Sequence, residues 1–488
     1  RPRQYGAGQA KYGRKEDFYI SMTTPLNLWL TIDQKIFKRY KVKKKVYIIQ
    51  PTYRLMDGKL IKELPLFNYS YNLPIISATI PEDWQKETCL EYTEEINFET
   101  DSSVIILTSP GYDVSRSVEI IEQFKQKSKV VVFGAHLDKF SDAILRNVCD
   151  SVFYGYPNPA KMKELLRDIE QGTIKEEYRF GTNLNFTFDY SVLKKQKMTF
   201  IPMIASLGCR YKCAYCCYPP IFEGHYYLRN LDYVISDLKE VAKMKKPAAF
   251  LDANLYNNRK YLIQLCERIV NEKINVIWGA QCTVDIGDDA EALELLYRAG
   301  CRMVFLGLET LDNKNMIQLN KEMNADNYSR QIKGIHGAGI MVGAFFMLGL
   351  NEDNEFTFDK IYSFFQKNRI EVPYVHIYFP IPGTTMAEKL KSDGRILEDY
   401  FDDYANKQSK FSAPCSIAYF SPSKLSKNEL EEEFVRLFIR ITSIRNIIRR
   451  MFVSDLRIAF IIFKMNLEAR EKAKSMRRNA GQSAAQGL

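Results

Sequence analysis

The sequence predicts an α/β protein with three parts: a doubly wound, Rossmann-like parallel sheet first, a partial (β/α)6 barrel in the centre, and a helical carboxyl-terminal extension. Three observations predict it. Short β-branched runs (KKVYIIQPTY, SSVIILTSPG, KVVVFGAH) alternate with helical stretches, as in a parallel sheet covered on both faces. A second alternation of strand and helix signals repeats six times between residues 197 and 395. After Leu425, apolar residues recur at threes and fours, the helical period.

Residues 1–43 read as a tail and lead-in, rich in Gly, Gln, Arg and Lys without apolar periodicity. Residues 44–171 carry the first sheet. Its strands are joined by the helical segment SRSVEIIEQFKQ, and DSVFYGYP and KMKELLRDIEQG supply a further strand and a closing helix that ends at Gly172. Ligands of such sheets bind beyond the carboxyl ends of the strands. The loops to inspect are therefore Thr108-Ser109-Pro110-Gly111, Gly134-Ala135-His136 and Gly155-Tyr156-Pro157. A polar linker, 172–196, leads to the barrel.

Composition bounds the function without choosing it. With 46% hydrophobic and 26% charged residues over 488, the chain reads as globular and of two or three domains. No apolar run reaches the eighteen or so residues of a membrane span. Ten cysteines without a visible signal peptide suggest a reducing cytosol. The net charge of +10 is partly gathered at the two ends, which alone is compatible with nucleic acid, anionic lipid or an acidic substrate.

The most specific motif is Cys209-x3-Cys213-x2-Cys216 in IASLGCRYKCAYCCYP. Three thiolates in one loop can hold three irons of a four-iron, four-sulfur cube and leave the fourth iron open. A structural zinc site wants a fourth Cys or His in tetrahedral reach and widely separated C-x2-C pairs. Here Cys217 merely adjoins Cys216, and His225 stands alone in GHYYLRN.

This spacing, with the aromatic Tyr215 before the third cysteine, resembles the radical S-adenosylmethionine (radical SAM) superfamily. The resemblance implies a 4Fe-4S cluster on Cys209, Cys213 and Cys216 whose open iron chelates SAM, cleaved by one electron to a 5'-deoxyadenosyl radical. The order of the three amino-terminal loops resembles the cobalamin-binding domain that precedes the radical domain in one branch of the family. It implies corrin contacts at Thr108, Ser109, Gly134, His136 and Gly155. Two positions depart from that branch: Ala135 stands where a second glycine is usual, and Tyr156 where Glu is frequent, so both add bulk at the corrin's edge. No D-x-H-x-x-G motif offers a histidine to cobalt.

In the barrel, polar residues end the strands: Asp252 and Asn254 the second, Gln281 the third, Glu309 the fourth. A zwitterionic methionine moiety and ribose hydroxyls need such carboxylates and amides. By the resemblance these four, with Tyr215 near adenine, bind SAM; Asp and Asn at strand ends equally cap the next helix. Gly343 and Gly349 let the fifth strand approach the cofactor, and Pro380, Pro382 and Gly383 line the substrate side. Tyr374, His376 and Tyr378 alternate along the sixth strand and share one face, offering acid, base or hydrogen-bonding groups if that face is internal. Cys282 and Cys415 are further candidates; the other unpaired cysteines read as apolar fillers.

The resemblance implies methylation of an unactivated carbon, with SAM, the cluster and cobalamin as cofactors. An external electron donor such as flavodoxin or ferredoxin is implied, with a small-molecule or lipid substrate. Radical cyclisation, ring contraction or oxidation is the alternative, and a metal-stabilised nucleic-acid-binding protein a second, although no nucleic acid is expected. A transfer-RNA methylthiotransferase wants three further cluster cysteines before the barrel, where only Cys89 and Cys149 stand. The carboxyl-terminal stripe Leu430, Phe434, Leu437, Phe438, Ile441, Ile444 and Ile448, interleaved with arginines, reads as helices packed on the barrel, or as basic amphipathic helices on an anionic membrane. The expected location is the cytoplasm, with membrane-peripheral attachment as a variant.

Overall fold

Each run of alternating strands becomes one parallel sheet in the computed structural model of the chain. The structure describes residues 43–52, 59–62, 71–108, 114–134, 139–179, 184–194, 196, 198–397, 416–451 and 456–486. The first sheet has six strands: β1 Lys45–Gln50, β2 Gln85–Leu90, β3 Val104–Thr108, β4 Lys129–Phe133, β5 Ser151–Tyr154 and β6 Glu177–Arg179. They lie in the order β2-β1-β3-β4-β5-β6, all parallel.

β1 and β3 are buried over nearly their full length, because helices cover both faces. One of these, α1 Val114–Phe124, presents Val118, Ile120, Ile121 and Phe124 to a core shared with Ile49, Ile105, Leu107 and Val132. α2 Pro159–Gln171 starts with Asn158 accepting from the Lys161 amide and stops at Gly172, whose φ is 72°. β2 was invisible to the sequence pattern. QKETCL has no β-branched run, and as an edge strand it buries only its last two residues. Chain order reverses between β1 and β3, and that switch point opens a crevice beyond Gln50 and Thr108.

The segment between the two sheets is no bare linker. β6 extends the first sheet, and an aromatic ladder follows, with Tyr156 stacked on Phe186 at 5.3 Å and Phe188 on Tyr190 at 5.5 Å. Tyr156 also meets the Tyr71 hydroxyl at 3.0 Å. Its ring is thus buried among aromatic side chains of the connection. Arg229, only 1% exposed, donates to the carbonyls of Leu184, Phe186 and Ile204 at 3.3, 2.6 and 3.2 Å and pairs with Asp237 at 2.6 Å. Extended backbone running through a core leaves carbonyls that must be paired, and this guanidinium pairs three.

The second sheet is a sequential half-barrel: β7 Ile201–Met203, β10 Ala248–Phe250, β11 Trp278–Cys282, β12 Cys301–Glu309, β13 Met341–Leu348 and β14 Val372–Ile377. The segment expected as one strand into the cysteine loop is broken. After β7 it turns into β8 Ser206–Gly208, which pairs antiparallel with β9 Tyr226–Leu228, so a small ribbon closes the base of the loop.

Three helices follow: α3 Lys427–Ile441, α4 Ile444–Arg450 and α5 Leu456–Gln486. Leu430, Phe434, Leu437, Phe438 and Ile441 are all buried. α5 crosses the amino-terminal mouth of the barrel. Ile458, Ile462 and Met465 pack on Met303, Met341 and Val372 at the strand starts. Lys464 reaches Thr199 before β7 at 3.1 Å, and Asn466 reaches the Glu371 carbonyl before β14 at 3.2 Å. The carboxyl-terminal mouth is left for chemistry. No helix among the described residues is long and apolar enough to cross a membrane.

Replacing Arg229 by Met is expected to cost about 3–5 kcal/mol, because Asp237 is then buried without its cation. Denaturant unfolding measures this, and adding Asp237→Leu should recover part of the loss.

Candidate functional site

The cysteine loop hangs from β8 and β9 at the carboxyl-terminal mouth. Gly208 enters it with φ 77°, and a Cβ there would lie 2.1 Å from the His225 carbonyl oxygen, so only glycine allows the ribbon to close. Inside the loop the Cys216 amide donates to the Cys213 carbonyl at 3.2 Å. The thiols of Cys209, Cys213 and Cys216 lie close enough to feel one another's charge. Burial pushes Cys213 up to about 11, opposed by the Lys321 ammonium. Cys216 is raised by its hydrogen bond with the Cys217 thiol and by burial. Such thiols must lose protons before they ligate iron. Among the described residues no three His, Cys, Asp or Glu side chains gather as ligands of a single ion. Three thiols in one loop are the donor set that can hold three irons of a four-iron cluster and leave the fourth open.

Asp252 and Asn254 are engaged within the protein. Asp252 is 1% exposed; it accepts the Ala205 amide at 3.1 Å and the Ser206 hydroxyl at 2.6 Å. It thereby fixes the turn between β7 and β8, and burial pushes its carboxyl up to about 6. Asn254 caps the 3-10 turn Leu255–Asn257 through the Tyr256 amide and also accepts from the Thr283 amide at 3.1 Å. Asn257 in that turn accepts from the Cys209 thiol at 3.6 Å. These two residues shape the loop's surroundings.

Gln281 and Glu309 stand differently. Along β11, Trp278, Ala280 and Cys282 are buried while Gln281 is exposed, which puts its amide on the inner face. Cys282 is on the opposite, packed face, where Cys266 and Cys301 also lie. It is a filler there. Glu309 ends β12 with φ 66°. Its Oε1 accepts the Tyr215 hydroxyl at 2.9 Å and the Lys321 ammonium at 3.1 Å. Tyr215 is thus tied by its hydroxyl to a strand end.

Tyr374 and His376 are partly exposed on β14, alternating with buried Val375 and Ile377, and share the inner face. Tyr374 packs on Phe345 at 5.2 Å, and Phe345 on Phe305 at 6.1 Å. Burial lowers the His376 pKa while the Glu309 carboxylate pulls the other way. Tyr378 parts from them. It lies beyond the strand, 2% exposed, against Phe420 at 5.6 Å. Gly349 makes room for the carboxyl-terminal region, since a Cβ would meet Phe420 at 2.7 Å and Leu430 at 2.8 Å, and at Gly343 it would meet the Phe305 ring at 2.3 Å. Neither glycine is an opening toward a cofactor.

At the first sheet's switch point, the Thr108 hydroxyl is buried without a hydrogen-bond partner among the described residues, as fits a ligand beyond β3. Gly134 follows β4, its amide bonded to the Phe153 carbonyl at 2.9 Å, and Gly155 turns with φ 80° after β5. Ser109, His136, Ala135 and Cys415 lie outside the described residues. Sequence reasoning missed Lys321, Asn257 and Arg229 in polar surroundings and Ser206 in the apolar run IPMIASLG, because each has a partner distant along the chain.

Residues 203–365 match the family model of the radical SAM superfamily. The fold is shared with the radical S-adenosylmethionine methyltransferase TsrM of Kitasatospora setae, solved with cobalamin and a 4Fe-4S cluster. The TM-score is 0.57 at 15% identity, over 72% of this chain and 75% of that one. The cobalamin-dependent radical enzyme OxsB aligns at TM-score 0.61 and 11% identity, over 88% and 72%. Residues 203–365 thus carry a radical SAM domain, and the fold around it is that of cobalamin-dependent radical SAM enzymes. Among proteins similar to this chain, the bacteriochlorophyllide d C-12(1)-methyltransferase of Chlorobaculum tepidum is 27% identical over 467 residues, 91% of this chain and 97% of the relative. The C-8(2)-methyltransferase of the same organism is 24% identical over 70% of this chain and 79% of its own.

Because folding raises the Asp252 carboxyl from 3.8 to about 6, the protonated form is the better folded one. Its contribution is full below about pH 4 and is lost as pH rises through about 6, on the order of 3 kcal/mol. In unfolding of the apoprotein, Asp252→Asn should gain stability relative to the parent across that window. A difference independent of pH would show that folding leaves the Asp252 pKa unshifted.

Proposed function

We propose that this chain is a cobalamin-dependent radical SAM C-methyltransferase acting on a tetrapyrrole. The observation that carries the reading is the similarity to the bacteriochlorophyllide d C-12(1)-methyltransferase, which runs through 91% of this chain and 97% of that one and so spans both sheets and the cysteine loop. When bound, the cluster and SAM supply a hydrogen-abstracting 5'-deoxyadenosyl radical, and cobalamin supplies the methyl group. An external reductant is required by the family's chemistry.

The chain's own residues divide the remaining work. Cys209, Cys213 and Cys216 hold the cluster, while Asp252, Asn254 and Asn257 fix the path of their loop. Gln281, on the inner face, and Glu309, at the end of β12, bind the polar groups of SAM. The Thr108 hydroxyl, buried and without a partner among the described residues, meets the corrin, together with the backbone at Gly134 and Gly155. Phe305, Phe345 and Tyr374 form an apolar aromatic wall suited to a planar macrocycle. His376, its imidazole kept neutral by burial, is the hydrogen-bonding group on that wall. The carboxyl-terminal apolar stripe is buried from Leu430 to Ile441 while Ile444 and Ile448 are exposed; packing is the role of the buried part, and the exposed pair is what a membrane would have to bind. Co-sedimentation of the full chain with anionic vesicles should be no greater than with neutral ones, and clear enrichment on the anionic vesicles would restore the membrane reading.

Anaerobically reconstituted protein, given reductant, cobalamin, SAM and bacteriochlorophyllide d, should yield 5'-deoxyadenosine, S-adenosylhomocysteine and a methylated chlorin by mass spectrometry. All three should vanish in a Cys209, Cys213 and Cys216 to Ala variant. Deoxyadenosine without S-adenosylhomocysteine would replace methyl transfer by cyclisation or oxidation, and methylation of no tetrapyrrole alongside both SAM products would sink the substrate class alone.

A further inference from the structure

Three consecutive residues, Leu319 to Lys321, grip the cysteine loop. The Leu319 carbonyl accepts the Ala214 amide at 2.8 Å, the Asn320 side chain donates to the Lys212 carbonyl at 2.8 Å, and the Lys321 ammonium donates to the Tyr215 hydroxyl at 3.2 Å. Tyr215 sits between Cys213 and Cys216 in sequence, so whatever holds its hydroxyl also holds the loop between two of the three thiols.

The same ammonium pairs with Glu309 at 3.1 Å, with side-chain exposures of only 8% and 9%. A buried ion pair carries a desolvation cost that its attraction barely offsets. The surrounding backbone is arranged to accommodate it. β12 and β13 slip register between Gly307 and Glu309, and Glu309 takes a left-handed φ of 66°, a conformation that is strained for a non-glycine residue. Gly307 leaves the space: a Cβ there would stand 2.5 Å from Glu309 Oε1 and 3.2 Å from Lys321 Nζ. Strain, an excluded methyl group and two desolvated charges converge on one point beside the thiols.

We propose that Lys321 is a positioning residue that sets how readily the three-cysteine loop, once loaded with iron, accepts an electron. It holds the Tyr215–Glu309 pair and keeps one cationic charge at the loop. The assignment rests on the cluster reading above. The potential of an iron–sulfur centre follows net charge, hydrogen bonding and exposure. Adding an electron makes the centre more negative, so a nearby cation favours the reduced form and a nearby anion opposes it, with little screening in a dry site. Lys321 and Glu309 therefore act with opposite signs on the same equilibrium, which a purely structural clamp does not.

The test is a dithionite titration of the reconstituted full chain without SAM, followed by electron paramagnetic resonance of the reduced cluster, with iron and sulfide counted in every variant. Lys321→Met should make reduction roughly tenfold less favourable, a midpoint about 59 mV more negative for one electron. Lys321→Arg should stay near the parent, Glu309→Gln should move to a more positive potential, and the double variant Lys321→Met, Glu309→Gln should return toward the parent. Single variants that shift in the same direction, or a Lys321→Met protein with full iron and an unmoved midpoint, overturn the assignment. If Lys321→Met takes up no iron, Glu309→Gln decides alone: an unmoved or more negative potential overturns it. A parent chain that binds no iron removes the cluster reading itself, and this inference with it.

Discussion

The carboxylate of Glu309 is where the fold and the chemistry meet. It ends the fourth strand of the half-barrel and is bonded to the tyrosine within the cysteine motif and to a buried lysine from the following loop. A cluster loop is short and rich in turns, and nothing in its own backbone fixes it against the sheet. Asp252 ties its entry through Ala205 and Ser206, the β8–β9 ribbon closes its base, and Glu309 with Lys321 holds its far side. The Met386 amide adds a bond to the Ala214 carbonyl at 2.8 Å. Residues from the second, fourth and sixth strand ends thus converge on one loop, a geometry that only a closed or nearly closed ring of strands provides.

Much of this architecture was legible in the sequence because parallel strands advertise themselves. VIILT and VVVF are buried on both faces, so their apolar runs are continuous, and the helices between them carry a clear 3.6-residue stripe. The failures have the same cause in reverse. QKETCL is an edge strand with little burial to advertise, and EYR adds a sixth strand in a stretch that reads as linker. The cysteine motif was legible because its spacing is local. The pairing of Tyr215 with Glu309 and Lys321 spans more than ninety residues and leaves no periodic trace, so Lys321 looked like one more lysine in a polar stretch.

Polar strand ends illustrate a subtler limit. Asp252, Asn254, Gln281 and Glu309 share a position in the pattern but not a state. Asp252 and Asn254 satisfy their hydrogen bonds within the chain, whereas Gln281 faces the open interior. The sequence carries residue type and place, and type alone does not say whether an acceptor is already filled. Likewise Tyr374, His376 and Tyr378 alternate as one face would, but β14 ends at Ile377; once the strand stops, the period-two rule stops, and Tyr378 turns to Phe420.

The two mouths of the half-barrel are treated oppositely, and this asymmetry decides where a substrate can enter. At the strand starts, α5 bridges from Thr199 to Glu371, the first and last strands, and packs Ile458, Ile462 and Met465 into the opening. An incomplete ring of six strands has two edges that backbone pairing leaves unsatisfied, and a helix laid across their bases braces them without occupying the interior. At the strand ends no such plug is formed by the described residues, and the groups that gather there are thiols, carboxylate, amide, imidazole and aromatic rings. Placing the brace at one end lets the strained and desolvated groups be concentrated at the other, where Glu309 holds its left-handed backbone against a rigid sheet. Stability and reactivity are thereby assigned to opposite ends of the same six strands.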